Sequence, residues 1–153
     1  MLYLERIPAA PLDRFVRMLW YARAPEIGHR RERVLPTGRA QAILNLARDY
    51  LLDCPEGLPE RREAPALLVG GRSIYEIVSS SDMADLVGVV FEPGGFAAFA
   101  GDAVDRFSNR SVPLDAVWGG GVRALRDSLR EAPDAQAKFR CLEEFLLGRL
   151  AVR

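Results

Sequence analysis

From Arg39 to Leu46 the chain alternates without a break, sending Ala40, Ala42, Leu44 and Leu46 to one side of an extended strand and Arg39, Gln41, Ile43 and Asn45 to the other. Other short runs of β-branched and aromatic residues, punctuated by Pro, Gly and Asp, predict strands at Arg17–Ala22, Arg31–Leu35, Ala66–Val69, Ser73–Ser80 and Ala84–Phe91. Pro36-Thr37-Gly38 supplies a turn, Pro presetting φ and Gly accepting positive φ. Leu51 to Ala64 carries Pro55, Gly57 and Pro59 among charges and reads as an exposed loop. Several short strands with tight turns imply an antiparallel sheet curled into a sandwich or barrel.

After Phe91 the apolar period changes from 2 to 3.6. Pro93-Gly94-Gly95 leads into a helix whose apolar positions include Phe96, Phe99 and Ala100, and Pro113 opens another with Leu114, Val117, Trp118, Val122, Leu125 and Leu129 on one side. Gly119-Gly120-Gly121 costs about 3 kcal/mol of helix propensity relative to Ala, which predicts a break between Trp118 and Val122. A last helix starts near Pro133-Asp134, with Phe139, Leu142, Leu146 and Leu150 as its core-facing stripe. Its second line, Cys141, Phe145, Gly148 and Val152, lies about 100° or more around the helix and is expected at a homodimer interface. Packing against another helix of the same subunit is the alternative. The chain thus reads as one α+β domain over residues 1–153, with a β-rich half at 1–92 and a helical half at 93–153.

Composition narrows the function. At 153 residues the chain buries a sizeable core without a staple, and with 49% hydrophobic and 27% charged residues it has the balance of a globular domain. Twenty-one basic residues offset 21 acidic ones, and residues 93–153 carry nine Arg or Lys against eight Asp or Glu. A DNA-reading helix in that half would want a basic face, so DNA binding by these residues alone is disfavoured. Lys138 is the only lysine, a bias that the codon usage of a GC-rich genome explains more simply than any function. Cys54 and Cys141 fit neither a metal knuckle nor a disulfide framework, and no run reaches the length of a membrane span, so a cytoplasmic location without membrane contact is expected.

Four blocks, taken in order, carry a resemblance: Phe15-Val16-Arg17-Met18-Leu19-Trp20, then Arg33-Val34-Leu35-Pro36-Thr37-Gly38-Arg39 continuing to Leu46, then Val89-Val90-Phe91-Glu92-Pro93-Gly94-Gly95-Phe96, and Asn109-Arg110-Ser111-Val112-Pro113-Leu114-Asp115. At these spacings the chain from Leu4 to Leu150 resembles the N-terminal domain of a branch of AraC-type transcription regulators. The resemblance implies a cupin-like barrel with helices packed on its side. It also implies a ligand-sensing and dimerising role, with DNA bound only through C-terminal helix-turn-helix units that these residues do not contain. Thr37 stands where the family's turn leads one to expect an acidic or amide residue.

Catalytic constellations are scarce. A cupin-type metal needs two or three imidazoles and a carboxylate, whereas His29 is the single histidine and sits in a polar turn, so no metal or other cofactor is expected. There is no G-x-S-x-G elbow, and Cys54 has only His29 as a conceivable base. Glu143 and Glu144 point in different helix directions. Val69-Gly70-Gly71-Arg72-Ser73 and Pro93-Gly94-Gly95-Phe96 lack a phosphate loop's Lys-Ser/Thr and read as turns. The protein is therefore read as no enzyme. A stand-alone small-molecule-binding protein or a small barrel enzyme is the alternative.

The binding site, for an unknown small-molecule effector, is expected in the β half. The Arg39, Gln41 and Asn45 face either meets solvent or, if the strands enclose a cavity, orients a small polar ligand. Trp20, Tyr21, Arg72 and Tyr75 fall on strands placed nearby, and an aromatic platform with an Arg suits a small molecule or a carboxylate. Core packing is the competing role for Trp20.

Overall fold

The computed structural model describes residues 2–24, 31–34, 38–55, 57–71, 76–79, 84–100 and 111–151. Six strands, β1 (Leu2–Arg6), β2 (Val16–Arg23), β4 (Gln41–Asn45), β7 (Ala66–Val69), β9 (Leu86–Phe91) and β10 (Ser111–Pro113), form one antiparallel sheet in the order β1-β2-β9-β4-β7-β10. Two further pairs stand apart from it, β3 (Arg31–Val34) with β8 (Glu76–Ser79) and β5 (Leu51–Asp53) with β6 (Arg61–Glu63). The helices follow: α1 (Ala97–Ala100), α2 (Leu114–Trp118), α3 (Gly121–Glu131) and α4 (Ala135–Ala151).

The α+β class and the order of the two halves are as expected, but the barrel is not closed. Among the described residues β1 and β10 form opposite edges of the large sheet and do not pair. β10 is three residues long, ends on Pro113, which has no N–H to offer a further strand, and passes directly into α2. Helices cover the face that closure would have enclosed.

Four short strands escaped the sequence pattern: β1, β5, β6 and β10. β1 is an edge strand whose Leu2, Tyr3 and Leu4 are exposed, so its residues do not alternate by polarity. The β5–β6 hairpin lies in the stretch expected to be loop. Leu51 anchors it in the core, and cross-strand charge adds to this: Asp53 faces Arg61 in register with a 2.6 Å ion pair, and the Arg62 guanidinium sits 4.1 Å from the Tyr50 ring centre.

One face of the sheet makes the main core. Leu19 and Tyr21 of β2, Val87, Val89 and Phe91 of β9, and Ala42 and Leu44 of β4 are buried against the helical layer. Phe91 meets Phe96 edge-on at 5.1 Å, Phe96 lies 5.7 Å from Trp118, and Trp118 lies 5.2 Å from Phe145 of α4. The triple glycine acts as expected: Gly119, at φ 75°, ends α2 and lets α3 begin at Gly121 in a new direction. The stripe of α4 is also borne out, with Phe139, Leu142 and Leu146 buried and Leu150 packed at the margin.

Two long cations fasten the helices. Arg126 of α3 donates from Nε to the Asn45 carbonyl at 2.7 Å and from Nη2 to the Arg48 carbonyl at 2.7 Å, and it pairs with Asp49 at 3.0 Å, tying α3 to the turn after β4. Lys138, only 6% exposed, donates from Nζ to the carbonyls of Leu129 at 2.9 Å and Ala132 at 2.7 Å. It thereby satisfies acceptors at the C-terminal end of α3, where a cation also meets the negative pole of the helix. Its Nζ sits 5.8 Å from the centre of the Tyr21 ring, whose phenol is pushed up to about 12 by burial and then by its hydrogen bond to Asp85. At the start of α4, Asp134 Oδ1 accepts from the Ala137 N–H at 2.8 Å.

Lys138→Met keeps the apolar stem and deprives both carbonyls of their donor. It is expected to lower the urea midpoint by an amount equivalent to about 1–3 kcal/mol with no change in far-UV circular dichroism. An unchanged midpoint would show that the cap contributes nothing to the junction between α3 and α4.

Candidate functional site: a cleft on the second face of the sheet

The sheet has a second apolar face, opposite the helices. Alternation along β2 turns Met18, Trp20 and Ala22 to it while Leu19 and Tyr21 enter the main core. Trp20 pairs in register with Gly88 of β9. A Cβ at Gly88 would lie 2.1 Å from Trp20 Cε2, so the missing side chain is what lets the indole lie across β9. Beyond β9 the indole Nε1 donates to Gln41 Oε1 of β4 at 3.3 Å. On the other side, the Tyr3 ring of β1 lies nearly parallel to the indole, 18° apart in plane with centres 6.3 Å apart. Tyr3 donates to Glu5 Oε2 at 2.9 Å, and its phenol is pushed up to about 12 by burial, then by that hydrogen bond and the charge of Glu5.

A cleft of about 400 Å³ opens at this end of the face. Trp20, Gln41, Arg39 and Arg17 supply its polar and aromatic walls, and Tyr3, Met18 and Val90 complete it. Val90 stands in register with both Met18 and Gln41, which is how β2, β9 and β4 come to share one wall. Arg17 is exposed and pairs with Glu92 at 3.6 Å.

Three of the residues expected to bind ligand, Trp20, Arg39 and Gln41, therefore meet in one cleft. Asn45 does not join them. It is buried, its Nδ2 donates to the Tyr50 carbonyl at 2.8 Å, and its Oδ1 accepts from the N–H groups of Ala47 at 3.0 Å and Arg48 at 3.3 Å, the work of a turn-forming side chain. Arg72 and Tyr75 lie outside the described residues, as do His29, Thr37 and Val152. Sequence reasoning missed Arg17, Met18, Val90 and Tyr3. The first three fall in strands that were expected, and alternation from Trp20 marks Met18; Tyr3 had no signal because β1 had none.

A second cleft, of about 310 Å³, lies beside α3. It mixes Asp49 and Asp115 with Arg123 and Arg126, and Arg126 is already spent on the turn after β4. On α4, Phe145 packs on Trp118 of its own chain, which accounts for its bulk without a second subunit, and Gly148 is exposed with open space where a Cβ would stand. The half-buried Cys141 thiol is raised by burial, then by Glu144, with Lys138 opposing, so little of it is thiolate at neutral pH. Cys54 is buried and donates to Glu60 Oε1 at 3.8 Å. Among the described residues no three His, Cys, Asp or Glu side chains gather to hold a metal ion, and no helix is long and apolar enough to cross a membrane.

Gly88→Ala tests the floor of the cleft. The new methyl must displace the indole and break its bond to Gln41, so a loss of about 1–3 kcal/mol is expected. In a Trp118→Phe background, the Trp20 emission should shift as well. A variant with wild-type stability and emission would mean that Trp20 does not rest on Gly88.

Residues 4–113 match a protein family, from within β1 to the end of β10, so the match takes in all of the large sheet except Leu2 and Tyr3 and stops where α2 begins. No match was found among curated proteins or among solved structures. The family is described as a domain of unknown function (DUF6597), and this chain belongs to it.

Proposed function

We propose that this chain is the ligand-sensing and dimerisation domain of an AraC-type transcription regulator, holding a small effector in the Trp20 cleft and acting on DNA only through helix-turn-helix units outside these 153 residues. The observation that carries the reading is the cleft itself: Trp20, Gln41 and Arg39, a polar and aromatic set expected on neighbouring strands from alternation and residue type, line one pocket of ligand size. A near-neutral charge balance supports it, since a sensor half needs no field for phosphates. The match to a family of unknown function is compatible with it. The proposal includes a cytoplasmic location, no catalytic activity, and a cupin-like kinship in opened form, with the six-stranded sheet read as a barrel that no longer closes.

Dimerisation belongs to the same proposal, with Cys141, Phe145 and Gly148 of α4 at or near the interface; Val152, expected there too, lies outside the described residues. Effector binding in the cleft would bias how two subunits are arranged.

The reading is tested in two steps. A thermal-shift screen of small metabolites should return a compound that raises Tm, and Trp20→Leu or Gln41→Ala should abolish that shift in a protein that still folds. A compound whose shift survives both changes places the effector elsewhere. For the interface, Gly148→Arg fills open space and removes a helix glycine, which favours the helix by roughly 1 kcal/mol. Sedimentation should then change from dimer to monomer with the fold intact. A wild-type chain that is monomeric at high micromolar concentration, or a Gly148→Arg dimer, removes α4 from the interface.

A further inference from the structure

Four of the six exposed large apolar side chains among the described residues fall in one short stretch: Leu2, Tyr3 and Leu4 of β1 and Ile7 just after it, 36% to 77% exposed. A fifth, Leu147, follows Glu143 by one turn of α4. Glu143 pairs with Arg6 of β1 at 3.2 Å, and Gln136 Oε1 accepts from the same guanidinium at 3.2 Å. The apolar edge is thus tied to α4, the helix already assigned to the dimer. β1 is the outer strand of the large sheet, and among the described residues no strand pairs with its far side. Every second residue of such a strand turns its N–H and C=O outward. Leu2, Tyr3 and Leu4 carry none of the charges, prolines or bulges that blunt an edge.

The sequence of β1 complements itself. In an antiparallel pair related by a two-fold axis, each residue faces one on the same face of the sheet, so the axis must pass through a residue. The partners in β2 set Tyr3 and Glu5 on the Trp20 face, and Leu4 and Arg6 on the helical face. An axis through Glu5 would bring two carboxylates face to face. One through Tyr3 pairs only Leu2, Tyr3 and Leu4 within β1. One through Leu4 pairs all five residues and opposes no like charges. Leu4 then meets Leu4, Leu2 meets the stem of Arg6, and each Tyr3 hydroxyl, which donates to its own Glu5 at 2.9 Å, comes opposite the partner's Glu5, a second carboxylate that it can serve.

From this exposed apolar edge and its matched register, we infer that two copies of the chain pair edge to edge through β1, antiparallel about Leu4, joining their large sheets into one. The two Trp20 clefts then open on the same face of a continuous sheet. Each Tyr3, a wall of its own cleft beside Trp20, stands against the partner's strand, so occupancy of the cleft reaches the second subunit through one side chain. The inference rests on the dimerisation proposed above and gives it a second surface, apart from the α4 line.

Sedimentation equilibrium and cysteine cross-linking of the 153-residue chain test it. Leu2→Lys/Leu4→Lys sets cations along the paired edge and should raise the dimer Kd at least about tenfold, with far-UV circular dichroism unchanged. In a Cys141→Ala background, Leu4→Cys sits on the axis, where opposed Cβ atoms lie about 4.5–5.5 Å apart, and should oxidise to a covalent dimer on a non-reducing gel. Tyr3→Cys in the same background is offset from its own copy by two residues along the strand, beyond the reach of a disulfide, and should stay uncross-linked. If the lysine variant fails to fold, the two cysteine variants decide alone. A Tyr3→Cys cross-link as complete as that of Leu4→Cys overturns the register. An unchanged Kd in the folded lysine variant, or no cross-link at either position, overturns the edge pairing, and Gly148→Arg then reports on α4 separately. A wild-type chain that is monomeric at high micromolar concentration removes both surfaces.

Discussion

The fold depends on one constraint, that the central strand pair β2–β9 must be buried on both faces at once. On one face the requirement is met in the ordinary way, with Leu19, Tyr21, Val87, Val89 and Phe91 under a helical layer. On the other Trp20, laid across Gly88, packs in a smaller cluster with Ala22, Leu51, Leu67, Val69 and Leu86. The two solutions differ in consequence. A helical layer seals its face, whereas an indole lying flat on β9 and reaching Gln41 leaves a shaped edge, and the cleft lies along that edge.

The helical side is joined to the sheet by a line of aromatic contacts and two cations. The aromatic chain from Phe91 through Phe96 and Trp118 to Phe145 runs from the sheet to α4. Arg126 and Lys138 then fix the helix positions by donating to backbone carbonyls, which ties element ends instead of decorating a surface. A buried lysine on two carbonyls beside a tyrosine ring also gives the single lysine a structural task that composition alone had not suggested. With the helices held to one face, three strands, β2, β9 and β4, stand behind the cleft on the other.

The parts of this architecture with strong periodicity were legible in the sequence. Strict alternation from Ala40 to Leu46 identified the core face of β4 correctly, the 3.6 period placed the stripe of α4, and the low helix propensity of three glycines placed the break before α3. What was not legible depended on partners far away in the chain. β1 is held by strand pairing, by the Tyr3 ring beside Trp20 and by Arg6 on Glu143 of α4, the β5–β6 hairpin lies among charges that look like a loop, and closure of the barrel is prevented at the short Pro-ended β10. In the site, Trp20, Arg39 and Gln41 were visible as a polar and aromatic set on neighbouring strands. Asn45 shared their alternation yet serves a turn, because the strand ends there and its side chain meets the backbone of the next residues. Tyr3 and Gly88 were invisible, since a stacking partner and an empty space are both defined only by the residue they accommodate.

The claim at the centre of this account is that the second face of the sheet receives the ligand and the helical core does not. The two indole N–H groups report on these places separately, Trp20 bonded to Gln41 at the cleft and Trp118 buried in the main core with no partner among the described residues. A ¹H–¹⁵N correlation spectrum recorded during titration with a compound that raises Tm should move the Trp20 indole signal and the Gln41 side-chain amide while the Trp118 signal stays in place. Movement of Trp118 with Trp20 and Gln41 unaffected would contradict it.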